Sequence, residues 1–254
     1  APNPILIDFD HGVSRVRADH RVPTIVASNY EEVLADVKSP EISEFDTIII
    51  DTGGSFVTYL KDWAFRVKGA KTRNGEFNGL KGFGFVKSEF ANFTNYIKTV
   101  LNKNIIYVFH TDEKADKAGN PIQRLVCEGS VRNTVWNSCE FGGYLQMLGN
   151  NRTLCFSPEQ EFFAKGTHGI TGKYNLPVLD DKTPNTFMTQ LFEMAKKNIQ
   201  QEKEYFAPVR EAYEKLMAQI GVMVNAVTDI ETANKAAEEI PKLEHVLTSK
   251  QEAA

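Results

Sequence analysis

The sequence has little cysteine: Cys127, Cys139 and Cys155 are the only three in 254 residues. Their odd number and the lack of a close C-x-x-C pair argue against both a disulfide framework and a zinc knuckle, and the usage fits a reducing cytoplasm. No apolar run approaches the ~20 residues needed to span a bilayer, which argues against a membrane partner. No basic stretch leading into an apolar segment marks a secretory signal. Excess positive charge is also missing. The net charge is −4, so the whole molecule offers no electrostatic footprint for nucleic acid, and any such binding must be local or come from an assembly. Repeats, long linkers and low-complexity tracts are absent. The chain has no initiator methionine and runs from Ala1-Pro2-Asn3-Pro4 straight into an apolar strand, as a fragment would.

What is present is organised around Asp46-Thr47-Ile48-Ile49-Ile50-Asp51-Thr52-Gly53-Gly54. Three consecutive β-branched residues predict a strand buried on both faces, as in the centre of a parallel sheet. The carboxyl ends of such strands are where open α/β sheets bind ligands. Asp51 is therefore either a magnesium-side carboxylate of a nucleotide site or a helix N-cap. A first strand, Ile5-Leu6-Ile7-Asp8-Phe9-Asp10-His11-Gly12, ends in two carboxylates that strand alternation puts on one side. A third, Asn104-Ile105-Ile106-Tyr107-Val108-Phe109-His110, ends on His110. In a parallel sheet these ends converge on one edge. Asp8, Asp10, Asp51 and His110 could there hold Mg²⁺ through water, position an attacking water and sense a phosphate.

Between these strands the pattern predicts a short strand at 22–27 and a helix at 30–37 capped by Ser28, with Glu31 in a capping box. Helices are expected at 55–68, with Phe56, Leu60, Trp63 and Val67 on one side, and at 81–101. A glycine-rich surface loop covers 69–84 and a charged loop 111–123. Short strands meander through 124–164 around a helix at 129–139, giving a mixed sheet. Thr183-Pro184 starts a helix to about 197, Thr228 and Glu231 form another capping box, and Pro241 begins or breaks a last helix. Phe206, Val209, Tyr213, Leu216, Ile220 and Met223 form a coiled-coil-like seam, which packs on its own domain or docks a partner. One decoy is set aside: Gly82-Phe83-Gly84-Phe85-Val86-Lys87-Ser88 lacks a glycine before the lysine and follows no strand, and its aromatics would obstruct backbone N–H groups from wrapping a phosphate.

The order Ile7-Asp8-Phe9-Asp10-His11-Gly12, Ile48-Ile49-Ile50-Asp51-Thr52, Tyr107-Val108-Phe109-His110 and Phe163-Ala164-Lys165-Gly166 resembles the RecA-like P-loop ATPases, and among them the phage-encoded ATP-binding proteins of recombination. The resemblance covers about residues 1–172 by eye. It implies a RecA-like α/β core at 1–180, with a mainly parallel sheet flanked by helices, and a helical C-terminal extension at 181–254. It implies ATP and Mg²⁺ as ligands, single-stranded DNA as a partner, and a homo-oligomeric ring or filament in the host cytoplasm. Asp51 matches the Walker B carboxylate that holds Mg²⁺ through water, with Thr52 beside it. Asp10 falls where the family has a glutamate that orients the attacking water, one methylene longer. His110 matches the polar residue linking the γ-phosphate to DNA-facing loops, one of which would be 111–123. Lys165 matches a basic residue that reaches a neighbouring subunit's ATP, and His168 in the same turn could assist it or merely cap it. The family's G-x-x-x-x-G-K-[ST] phosphate loop is not in the chain, which therefore should bind nucleotide poorly. The expected ATPase activity belongs to the intact protein. DNA binding would need Lys71, Arg73, Lys81, Lys114 and Lys117 to cluster on one face.

Two other readings fit parts of the pattern. A haloacid-dehalogenase-type phosphatase would use Asp8 as nucleophile and Asp10 as acid/base, with Asp180-Asp181 as the late acidic pair and Lys165 as the candidate lysine. A non-enzymatic adaptor would keep the ATPase fold without its phosphate loop and bind a partner through the seam at 206–223.

Overall fold

The β-branched runs do form the centre of the molecule. In the computed structural model, which describes all residues except 117, 129, 130, 181, 182, 253 and 254, four strands build one parallel sheet: β1 (Pro4–Asp8), β2 (Thr24–Val26), β3 (Thr47–Asp51) and β4 (Asn104–Val108). Their order is β2-β1-β3-β4. The register sets Asp8 beside Asp51, and Asp51 beside Val108. Ile7, Ile48 and Ile50 are fully buried. β4 lies at the sheet edge and is only half-buried along most of its length, against the expectation of a fully buried strand.

Helices α1 (Tyr30–Lys38), α2 (Gly53–Arg66) and α3 (Gly79–Asn95) pack against this sheet. The packing is aromatic: Phe56 lies 4.9 Å from Phe93 and 5.6 Å from Phe90, and Phe90 stacks on Tyr107 at 5.0 Å between ring centroids. Burial of rings of this size dominates core energetics, at about 1.5–3 kcal/mol for each fully buried large apolar side chain. The cap of α1 is Asn29, whose side chain accepts from the Glu32 N–H, not Ser28; Ser28 instead bonds the Glu32 carboxylate. Val67 stands at the C-cap of α2 and is 54% exposed, so it leaves the apolar stripe. α3 begins earlier than expected and takes in part of the glycine-rich segment. The set-aside glycine run lies inside it, and a side chain at Gly82 would meet the Phe77 ring at 2.3 Å. The helix continues into a π-helical turn, Tyr96–Val100.

The second half of this unit departs further from expectation. The charged segment after β4 is a hairpin, β5 (Thr111–Ala115) and β6 (Pro121–Leu125), rather than a loop. α4 (Val131–Ser138) follows; the expected start of this helix at 129 lies outside the described residues. β7 (Tyr144–Leu148), β8 (Asn151–Cys155) and the unforeseen β9 (Lys173–Asn175) form a separate antiparallel sheet, so the strands do not merge into one mixed sheet. The expected strand at 161–164 reduces to isolated bridges at Phe162.

The chain divides into two compact units, Ala1–Ala195 and Lys196–Ala254. One helix, α5 (Phe187–Asn225), carries the backbone from the first into the second and includes Pro208. It replaces the two helices expected there and starts after Thr183-Pro184 rather than on it. α6 (Ile230–Glu239) is capped by Asp229 paired with Thr232, not by Thr228 and Glu231. A 3-10 turn, Ile240–Lys242, contains Pro241, and α7 (Ser249–Glu252) closes the described chain. Leu216 and Ile220 pack on Ile240. Further up the same seam Phe206 is 61% exposed, so only the lower half of the stripe is used within its unit.

Candidate functional site

The carboxyl edge of the parallel sheet carries Asp8 and Asp51 as the last residues of β1 and β3. Asp8 is 2% exposed. Its Oδ1 accepts from the N–H groups of Asp10 (3.2 Å) and Gly12 (3.0 Å), and its Oδ2 from that of Val13 (2.8 Å). Burial pushes its pKa up, but the three backbone donors together with His11 outweigh this and hold it below the usual carboxylate range. Asp8 thus folds the chain after β1 into a tight loop. β1 ends before Asp10, so alternation does not place that residue. Asp10 is held at the edge by the loop and by the Thr52 hydroxyl, whose Oγ1 donates to its Oδ1 at 3.4 Å.

Asp51 behaves oppositely. It is half-buried, and burial followed by the charges of Asp10 and Asp8 raises its pKa, against the lowering pull of His110 and Arg15. It is not the helix cap. That role falls to Thr52, 5% exposed, whose Oγ1 accepts from the Ser55 N–H at 3.3 Å at the start of α2. The Asp51–Thr52 peptide bond is cis. Gly53 and Gly54 have a steric reason. A Cβ on Gly53 would sit 2.3 Å from the Phe109 ring, and one on Gly54 would sit 2.7 Å from the Val126 carbonyl oxygen. The edge therefore closes over α2 only because both side chains are absent.

His110 lies two residues beyond β4 and is exposed, with its carbonyl accepting from Val126 N–H at 2.8 Å. It is among the groups that lower the Asp51 pKa, while Thr52 joins Asp10 through its hydroxyl. Lys165 is not placed there by any contact among the described residues. Its Nζ donates to the Cys139 carbonyl at 2.5 Å, and its backbone bridges Gly142. His168 lies 3.9 Å from Glu140. Arg15, which sequence reasoning passed over, belongs to the edge. The cluster of Arg15, Arg17 and Arg21 after the first strand was the available signal.

Beside the His110 imidazole, the donors at this edge are carboxylate and hydroxyl oxygens, the chemistry of a hard cation. Among the described residues no group of three or more His, Cys, Asp or Glu side chains is placed to enclose a metal. The residues thus fit Mg²⁺ that keeps water and substrate phosphates as most of its ligands, with Asp51 the protein's contribution. Like charges crowding Asp51 are what such an ion would relieve.

The wider expectations fare unevenly. Of the cations expected to form a basic face, Lys71 lies over Phe65, Lys81 lies over Phe85, and Lys114 pairs with Asp112 at 2.5 Å. Lys117 lies outside the described residues, as does Asp181 of the late acidic pair. Among the described residues no helix is long and apolar enough to cross a membrane. The phosphatase reading fails chemically, because an Asp8 carboxylate bonded through both oxygens to three N–H groups is a poor nucleophile. No curated protein matches the sequence. The sequence pattern of the AAA domain matches residues 1–168, and the chain belongs to this family of P-loop ATPases.

Proposed function

We propose that the protein hydrolyses ATP to ADP and phosphate at the carboxyl edge of its parallel sheet. The observation that carries this reading is the adjacency of Asp51, with its raised pKa, to Asp10 across the Thr52 hydroxyl. Asp51 would hold the metal side of the nucleotide, and Mg²⁺ when bound would neutralise phosphate charge. Asp10, fixed by the loop that Asp8 ties down, orients the attacking water and accepts its proton as the water oxygen bonds the γ-phosphorus. The bond from that phosphorus to the bridging oxygen breaks, and ADP leaves. Thr52 keeps Asp10 in place. His110, on the chain that leads into the β5–β6 hairpin, would relay the state of the γ-phosphate to that hairpin.

The finer reading is a phage-type RecA-like ATPase of DNA recombination or replication. In it Lys165 reaches the ATP of the next subunit in a ring or filament, stabilising the transferring group, and single-stranded DNA is the partner. The test is Mg²⁺-dependent ATP turnover by the natural full-length protein, with and without single-stranded DNA, beside its Asp51→Asn and Lys165→Ala variants. Asp51→Asn is expected to lower turnover by roughly 10²-fold or more. It should at the same time raise the melting temperature near pH 7. A carboxyl whose folded pKa is raised stabilises only while protonated, and that contribution is lost as pH rises through the folded pKa. Turnover unaffected by Asp51→Asn would remove the site from this edge.

A further inference from the structure

Helices α3 and α4 leave a groove of about 290 Å³ between them. Its α3 wall is Lys87, Ala91 and Asn95, and its α4 wall carries Asn133 and Asn137. The last turn of α4 is tied to the end of the neighbouring helix by Lys98, whose Nζ donates to the Ser138 carbonyl at 2.9 Å. Thr94, which also lines the groove, is 2% exposed, and its hydroxyl is already spent on the Phe90 carbonyl and the Tyr107 hydroxyl, both at 2.8 Å. The wall residues are employed differently. Lys87, Asn95, Asn133 and Asn137 are exposed, and their side chains make no hydrogen bond or ion pair with a described residue. Both walls step by four residues, a rise of about 6 Å along a helix.

The lining narrows the ligand. Among the described residues no aromatic ring lines the groove for a base to stack on, and a single ammonium is no match for a phosphate backbone. Each asparagine amide offers both donors and an acceptor, the complement of the C=O and N–H of a peptide unit. An extended chain brings residues of one face round every ~6.6–6.8 Å. That is close to the step of both walls, so successive amides can meet alternate peptide units. Lys87 and Asn95 stand about 12 Å apart along α3, the span of roughly four extended residues. We propose that the groove between α3 and α4 binds an extended peptide segment of about that length, with an acidic side chain against Lys87. Ala91 gives the segment its room, because a longer side chain at that step would fill the middle of the α3 wall.

The experiment titrates the isotope-labelled natural full-length protein with acetylated, amidated tetrapeptides and follows the side-chain NH₂ resonances of Asn95, Asn133 and Asn137. The peptides are alanine throughout except for one glutamate, which occupies each position in turn. Their glutamine counterparts and a single-stranded oligonucleotide are titrated beside them. At least one glutamate peptide is expected to shift all of these resonances saturably, and its glutamine counterpart to bind roughly two- to fivefold more weakly, the contribution of one exposed ion pair. Lys87→Ala should erase that difference. Ala91→Leu, at a half-buried helical site, should abolish the shifts, with thermal unfolding of each variant as the control for folding. No saturable shift with any glutamate peptide overturns the proposal. So do shifts that survive Ala91→Leu, a glutamate preference that is absent from the wild type or persists in Lys87→Ala, or shifts given by the oligonucleotide in place of the peptides.

Discussion

The parallel-sheet edge and the antiparallel region after it are built from the same chain with opposite economies. Along β1 and β3 the interior residues Ile7, Ile48 and Ile50 are fully buried, and the register brings Asp8 and Asp51 side by side. In β5 all five residues are exposed, and on β7 Leu145 and Met147 are exposed as well. A strand with one face fully buried cannot slip by one residue without turning that apolar set outward, so the groups at its end are held in register. A strand with little burial has no such lock. Lys165, in the antiparallel region, accordingly spends its ammonium on a carbonyl of its own unit.

The comparison can be broken most forcefully at Asp8. Asp8→Ala removes the buried carboxylate that accepts from three part-buried N–H groups, and destabilisation of roughly 3 kcal/mol is expected in urea unfolding. Its pH dependence has a defined sign. The folded pKa lies below the unfolded one, so the contribution is whole above about pH 4 and is lost as pH falls through the folded value. Wild type and variant should therefore converge in stability toward strong acid. A gap that persists there would assign the role of Asp8 to packing alone.

Next in size is Gly53→Ala. The added methyl would meet the Phe109 ring at 2.3 Å. A ring can shift where a backbone cannot, so a loss of about 1–3 kcal/mol is expected, the usual cost of overpacking. A parallel Gly149→Ala in the turn between β7 and β8 faces open space, and its cost comes only from the positive φ of 60°. If both cost the same, steric closure at the edge of the parallel sheet is not the reason for Gly53.

The smallest effect belongs to Lys165. Its hydrogen bond to Cys139 is half-exposed, so Lys165→Ala should change stability by about 1 kcal/mol or less. A loss as large as that at Asp8 would make Lys165 structural and withdraw it from any part in the neighbour's site.

How much of this was legible follows the same division. The three β-branched runs announced the sheet, and their terminal acids announced the edge. Burial on both faces writes itself into consecutive apolar residues, and a carboxylate at a strand end is a local feature. The loop after β1 was not legible in the same way. Asp10 looked like the next outward position of a strand, yet Asp8 turns the chain back through three hydrogen bonds that no periodicity encodes. Arg15 went unread for the same reason, since the turn that carries it is held by Arg21 donating to the Val16 and Ser14 carbonyls. The β5–β6 hairpin lacks an apolar face and therefore resembled a loop. The cap positions slipped by one residue at Asn29 and Asp229, where adjacent polar residues compete for the same N–H groups.

The central claim is that Asp51 is the metal side of a nucleotide site. It is tested most directly by titrating Mn²⁺, followed by electron paramagnetic resonance, into the natural full-length protein saturated with the β,γ-imido analogue of ATP. The account expects Asp51→Asn to weaken Mn²⁺ binding roughly tenfold or more and Lys165→Ala to leave it unchanged. Mn²⁺ binding that is the same in the Asp51→Asn variant as in the wild type would contradict it.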